Sequence, residues 1–143
     1  MEAMYSPYKM RGKRKENIYF NKSIDPMTGD EYSHLEEMIK GYGHIVSGRV
    51  KFARGQGGLL RLRPVVRMEN QGEKNLLTYP SGGNAFISGE DQEIILDLDI
   101  YVEYGDILRL YYYNTADYTP YTIDMSITIY YDTVAAVPFG GAY

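Results

Sequence analysis

Two histidines, His34 and His44, and no cysteine are the whole supply of the side chains that most often carry metal or nucleophilic chemistry. The histidines lie ten residues apart with no ligand constellation beside them. They read as surface or hydrogen-bonded residues, and neither a metal nor a cofactor is expected. Asp97 and Asp99 stand two apart on one face of an alternating strand. Calcium wants six to eight oxygens from a compact loop, which a rigid strand does not supply. Cross-strand pairing with Arg61, Arg63 or Arg67 is the better reading. Asp25, Asp30 and Glu31 crowd around Gly29, but helix capping accounts for Asp30 and Glu31 without an ion. Two glycine runs, Gly55-Gln56-Gly57-Gly58 and Ser81-Gly82-Gly83, precede no helix and carry no Lys-Ser/Thr, so they read as hairpin turns, not phosphate cradles. A Gly-x-Ser-x-Gly elbow is absent from the sequence. No catalytic residues emerge, and the chain is expected not to be an enzyme.

The tyrosines are the stronger signal. There are 16, against four phenylalanines and no tryptophan. Alternation turns Tyr101, Tyr111, Tyr113 and Tyr130 away from the core. Outward rings suit a subunit interface, where tyrosine buries much area with few torsions. They also suit cross-strand aromatic pairing, or stacking on sugar rings as in a carbohydrate-binding module.

These side chains must be held by strands. From Gly43 onward the apolar pattern has a period of two. Val46, Val50 and Phe52 alternate with Ser47, Arg49 and Lys51, and Leu60, Leu62, Val66 and Met68 with Arg61, Arg63 and Arg67. Ile94, Leu96, Leu98, Ile100 and Val102 share a face, as do Leu108, Leu110 and Tyr112, and then Ile123, Met125, Ile127, Ile129 and Tyr131. Seven to eight short strands separated by turn signals predict a mainly β protein. The expected fold is an antiparallel sandwich of jelly-roll type over 43–132.

Residues 1–42 read differently. Positions 1–29 show neither period, and 31–40 carry Leu35, Met38 and Ile39 at helical spacing after a possible capping box at Thr28. The expectation is an extended N-terminal arm ending in one short helix, flexible until it meets a partner. Met4, Tyr5, Tyr8, Ile18, Tyr19 and Phe20 would be its apolar grips, and Lys9, Arg11, Lys13, Arg14 and Lys15 its cations. Deleting 1–29 should then leave a folded body. Residues 133–143 form an apolar, glycine-rich tail in which Phe139 could anchor to a neighbour.

Length and charge bound the rest. At 143 residues the chain suits one domain. No run approaches the roughly 20 apolar residues of a membrane span, and the N-terminus lacks a signal-peptide core, so no membrane partner is expected. The net charge of −4 conceals a polarity: residues 1–67 hold 13 of the 15 Lys and Arg, and residues 68–143 hold 12 of the 19 Asp and Glu. The net sign argues against a generic nucleic-acid binder. The polarity suits oppositely charged surfaces that meet within one subunit or between neighbours.

Val102-Glu103-Tyr104-Gly105-Asp106-Ile107-Leu108-Arg109-Leu110, after an alternating strand, resembles the Gly-Asp strand of trimeric jelly rolls related to tumour necrosis factor and the complement globular heads. The layout of arm, Tyr-rich sandwich and apolar tail is similar to bacteriophage virion proteins that decorate capsids or build head fibres and tail adaptors. That resemblance implies a non-enzymatic structural protein located in the virion. It also implies homo-oligomers, trimers favoured, with other protein subunits as partners. The alternatives are a carbohydrate-binding module, and a small jelly-roll coat protein whose basic arm faces nucleic acid.

Overall fold

A computed structural model describes residues 13–68, 71–77 and 86–132, which form two antiparallel four-stranded sheets. The strands are β1 (Lys13–Ile24), β2 (Thr28–Met38), β3 (Gly43–Phe52), β4 (Leu60–Met68), β5 (Gly72–Asn75), β6 (Gln92–Val102), β7 (Ile107–Asn114) and β8 (Tyr121–Asp132). One sheet has the order β1-β8-β3-β6 and the other β2-β7-β4-β5. Apart from β4 and β5, successive strands alternate between the sheets, which is the double Greek key of an eight-stranded jelly roll. The predicted fold class is what the chain adopts.

The core is the strip where period-two faces meet. Ile123, Met125, Ile127, Ile129 and Tyr131 of β8 face Leu108 and Leu110 of β7 and Leu60, Leu62 and Val66 of β4, all buried. Burying each such side chain contributes about 1.5–3 kcal/mol. Val46 departs from its expected face. Ile45, Gly48, Val50 and Phe52 point inward instead, because the register shifts between Ile45 and Ser47 against both neighbours. A bulge there reverses the parity of everything before it.

The predicted arm and helix are corrected. Residues 13–24 are β1, paired with β8 from Lys13↔Asp132 to Ile24↔Tyr121. Ile18, Phe20 and Ile24 lie in the core, so this stretch folds against its own body and the sandwich begins at Lys13, not at 43. Residues 28–38 are strand β2, paired with β7; the chain reverses at Pro26-Met27, and Gly29 takes a φ of 92°. Tyr32, Ser33 and His34 are weak helix formers, and from His34 to Met38 the chain finds a ladder on β7 instead. Ile39 belongs to the following bend, where its N–H donates to Asp106 O (2.8 Å) and its carbonyl accepts from Gly105 N (2.9 Å). The apparent helical spacing of Leu35, Met38 and Ile39 therefore joins a strand to a bend. Residues 1–12 and 133–143 lie outside the described residues.

One edge of the second sheet is interrupted. β5 pairs with β4 in a register that would bring position 78 opposite Leu62, but Leu62 bridges Ile87 instead.

Candidate functional site

On the outer face of the second sheet, Tyr111 of β7 stands level with Arg63 of β4 and His34 of β2. The Arg63 guanidinium lies 4.4 Å from the ring centroid, and His34 meets the ring edge-on at 5.5 Å. The Tyr111 hydroxyl donates to Glu73 of β5 and accepts from Arg109 Nη1 at 3.1 Å. Arg109 donates to Glu36 Oε2 (2.7 Å) and Glu73 Oε2 (2.8 Å), and Arg63 donates to Asn75 Oδ1 (2.9 Å). Burial, then the bond to Glu73, pushes the Tyr111 phenol up. The cluster bolts β2, β4, β5 and β7 together. It leaves Tyr111 only 6% exposed, so this outward-turned ring is neither a stacking platform nor a free interface residue.

The outer face of the first sheet is more exposed at its margins. Its rows follow the register: Lys15, Tyr130, His44 and Tyr101 in one, and Tyr19, Ser126, Arg49 and Ile95 in another. On β8 the short Ser126 and Thr128 stand between larger neighbours, with Thr128 Oγ1 donating to Asn17 Oδ1 at 2.7 Å. The most exposed apolar side chains stand at the margins: Tyr19 is 69% exposed on β1 and Ile95 66% exposed on β6. His44 Nδ1 lies 3.0 Å from Asp99 Oδ1 and contacts the Tyr101 ring edge-on at 5.6 Å. The expected pairing of Asp97 and Asp99 with Arg61, Arg63 or Arg67 does not occur, because those arginines belong to the other sheet. The four tyrosines likewise do not form one surface: Tyr101 and Tyr130 lie on one sheet, and Tyr111 and Tyr113 on the other.

The predicted grips of the arm are divided. Ile18 and Phe20 are core residues of this chain and cannot hold a partner. Tyr19 and Lys15 are exposed on the outer side of β1, and Arg14 stacks on the Tyr131 ring at 4.7 Å. Lys13 opens β1 opposite Asp132. Met4, Tyr5, Tyr8, Lys9, Arg11 and Phe139 lie outside the described residues.

A feature that the sequence did not announce sits at the end of the sandwich near the β3–β4 turn. A groove of about 490 Å³ is lined by Asn21, Lys51, Arg54, Gln56, Tyr121 and Asp124, among others. Gln56 is 2% exposed, and its Oε1 accepts no hydrogen bond among the described residues. The turn that carries it is fixed by the Tyr121 hydroxyl donating to Gly55 O (2.8 Å), and by Glu90, whose carboxylate accepts from Gly55 N (2.9 Å) and Gly57 N (2.6 Å). Those two amides hold the Glu90 carboxyl below its usual range. The glycine run expected to be a hairpin turn instead crosses from β3 in one sheet to β4 in the other and presents a buried amide, and the signal was the glutamine inside it. Among the described residues no three His, Asp or Glu side chains converge on a possible metal position.

No protein-family model and no curated protein matches the chain. Several solved structures are similar to the chain at low identity. The chain is similar to a structure of the infectious bursal disease virus Gx strain (12% identity, TM-score 0.45) over 84% of its own length and 32% of that chain. It is also similar to the VP2 subviral particle of infectious bursal disease virus (10%, TM-score 0.48) over 85% of its length and 33% of that chain. FLHE matches at 9% identity and a TM-score of 0.42, over 84% of this chain and 97% of that one. The protein thus spans about a third of the length of the two viral chains.

Proposed function

We propose that this chain is a non-enzymatic structural subunit of a virus particle that associates with copies of itself and with other subunits. The observation that carries the reading is the strand order, β1-β8-β3-β6 facing β2-β7-β4-β5. Eight-stranded jelly rolls serve as capsid proteins, lectins and cupins, a fold-level analogy that needs support from the surface. The interior is filled by apolar side chains, which argues against the ligand chamber of a cupin. Tyr111, one of the rings expected to stack on a sugar, is covered by Arg63, which weakens a lectin that works through that ring. The margins of the first sheet expose Tyr19, Ile95 and Tyr101, as a surface that awaits a neighbour would.

Within that role, a bacteriophage decoration, head-fibre or tail-adaptor component is the finer reading. The support is the layout: one compact sandwich with a basic leader at 1–12 and an apolar tail at 133–143. The leader replaces the longer arm as the proposed attachment segment, with Met4, Tyr5, Tyr8, Lys9 and Arg11 as its contacts and Phe139 as the anchor of the tail. Light scattering on the full chain, with the 260/280 nm absorbance ratio and electron micrographs, tests the reading. Oligomers or particles free of nucleic acid are expected. A monomer at every concentration would overturn self-association, and co-purifying nucleic acid would favour a genome-facing coat protein.

The groove around Gln56 favours a second reading. Its unpaired buried carbonyl, beside Asn21, Asp124 and the Tyr121 ring, suits a hydroxyl-rich ligand such as an oligosaccharide. Binding of a glycan that Gln56→Leu abolishes would establish it.

A further inference from the structure

β1 and β6 are the two edges of one sheet. They are 12 and 11 residues long, and long open edges are where chains add strands to one another. Their charges are opposite. β1 carries Lys13, Arg14, Lys15 and Lys22 against Glu16, while β6 carries Glu93, Asp97 and Asp99 and no cation. Like charges oppose β1 meeting β1, or β6 meeting β6, and only the mixed pairing is attractive. The two edges thus share the signs of the two halves of the sequence.

We propose that β1 of one copy pairs with β6 of the next, so that the sheet β1-β8-β3-β6 runs on from subunit to subunit. This rests on the self-associating role proposed above and names its surface. Three antiparallel pairings separate β1 from β6, so the two edges run in opposite directions. A neighbour in the same orientation continues an antiparallel ladder. The β3 bulge offsets the two ends of the sheet by two residues, Lys15 being level with Tyr101 on one side of it and Tyr19 with Ile95 on the other, and the proposed register is that of the Tyr19 row. Tyr19, Ser126, Arg49 and Ile95 lie at one level, so a copy placed beside the first at that level sets Tyr19 opposite Ile95. These are the two most exposed apolar side chains of the sheet. The same register sets Lys15 opposite Asp99, Asn17 opposite Asp97 and Asn21 opposite Glu93, all of them exposed. On the inner side it sets Phe20 opposite Ile94 and Ile18 opposite Leu96, extending the apolar layer across the boundary. Such a contact is heterologous: it closes into a ring if the rotation per subunit allows, and otherwise propagates as a filament.

The test uses the full chain and two double variants in light scattering. Lys15→Glu/Lys22→Glu makes both edges acidic, and Asp97→Lys/Asp99→Lys makes both basic. Each double variant alone is expected to run as a monomer, and an equimolar mixture to recover the larger mass, because each acidic edge then finds a basic one. Because these positions are exposed, circular dichroism should show both variants folded. The chain has no cysteine, so a mixture of Tyr19→Cys and Ile95→Cys proteins reads the register directly. An oxidised dimer is expected in the mixture and not in either protein alone. Oligomers that survive both charge reversals, or a disulfide dimer of Tyr19→Cys alone, would overturn the edge pairing while leaving self-association standing. A wild-type monomer at all concentrations would overturn both.

Discussion

Asn114 Nδ2 donates to the carbonyl of Ile24 across 3.0 Å, tying the last residue of β7 in one sheet to the last residue of β1 in the other. The same amide donates to Thr119 O (3.0 Å), and its Oδ1 accepts from Ala116 N (3.0 Å). A fully buried asparagine thus satisfies three backbone groups at the sandwich end. Asn114→Leu leaves all three without that partner, and each buried orphan costs about 1–3 kcal/mol. Urea denaturation should show a loss of about 3 kcal/mol or more with little change in m-value.

Truncation separates the leader from the body. Removing 1–12 should leave the thermal midpoint nearly unchanged and the core intact. Removing 1–29 strips Ile18, Phe20 and Ile24 from the core and exposes the side of β8 that pairs with β1, and should yield insoluble or unfolded protein. This reverses the expectation drawn from the sequence. A soluble, cooperatively melting 30–143 fragment would contradict the membership of β1 in the body.

Tyr131 gives the fold an alkaline limit. Its hydroxyl donates to Glu16 Oε1 at 2.6 Å, and burial, then that bond, pushes its phenol up to about 12. In the unfolded chain the phenol ionises near 10, so between about pH 10 and 12 the unfolded state has lost a proton that the folded state retains. Stability is therefore fully present below pH 10 and falls as pH rises through that window. Tyr131→Phe removes the hydroxyl, costing about 1 kcal/mol at neutral pH. The gap between wild type and variant should narrow from pH 10 to 12, as followed by chemical denaturation at fixed pH.

Gly43 allows two strands to approach closely. A Cβ placed there would lie 2.0 Å from Tyr130 O and 2.8 Å from Tyr131 Cα, both backbone atoms of β8 that cannot turn aside. Gly43→Ala should cost about 1–3 kcal/mol as the overpacked strands part. Faster amide exchange at Gly43, His44 and Tyr131 should report it.

Strands β6, β7 and β8 were legible because their alternation is unbroken: Ile94 to Val102, Leu108 to Tyr112 and Ile123 to Tyr131 each keep one parity. β1 was hidden because Lys22 takes a core-side position at the exposed margin while Tyr19 takes an outer one, which blurs the pattern of Ile18, Phe20 and Ile24. β2 was hidden because its partner, β7, lies some seventy residues on, and local propensity does not report such pairing. The face of Val46 was misread because a bulge leaves no mark in the sequence. Alternation turned Tyr111 outward correctly, yet could not show that Arg63, Arg109 and Glu73 would cover it. The two signs of charge were legible by halves, but not that β1 and β6, one of each sign, would be the two edges of one sheet.

Lys13 and Asp132, register partners in the β1–β8 ladder, bring both extremities of the sandwich to a single corner. Splicing that corner with a short linker and cutting the chain at the turn before Gly72 would give a circular permutant in which every ladder survives. Its leader and tail would be fused into one loop, so the new termini could carry labels without touching either segment.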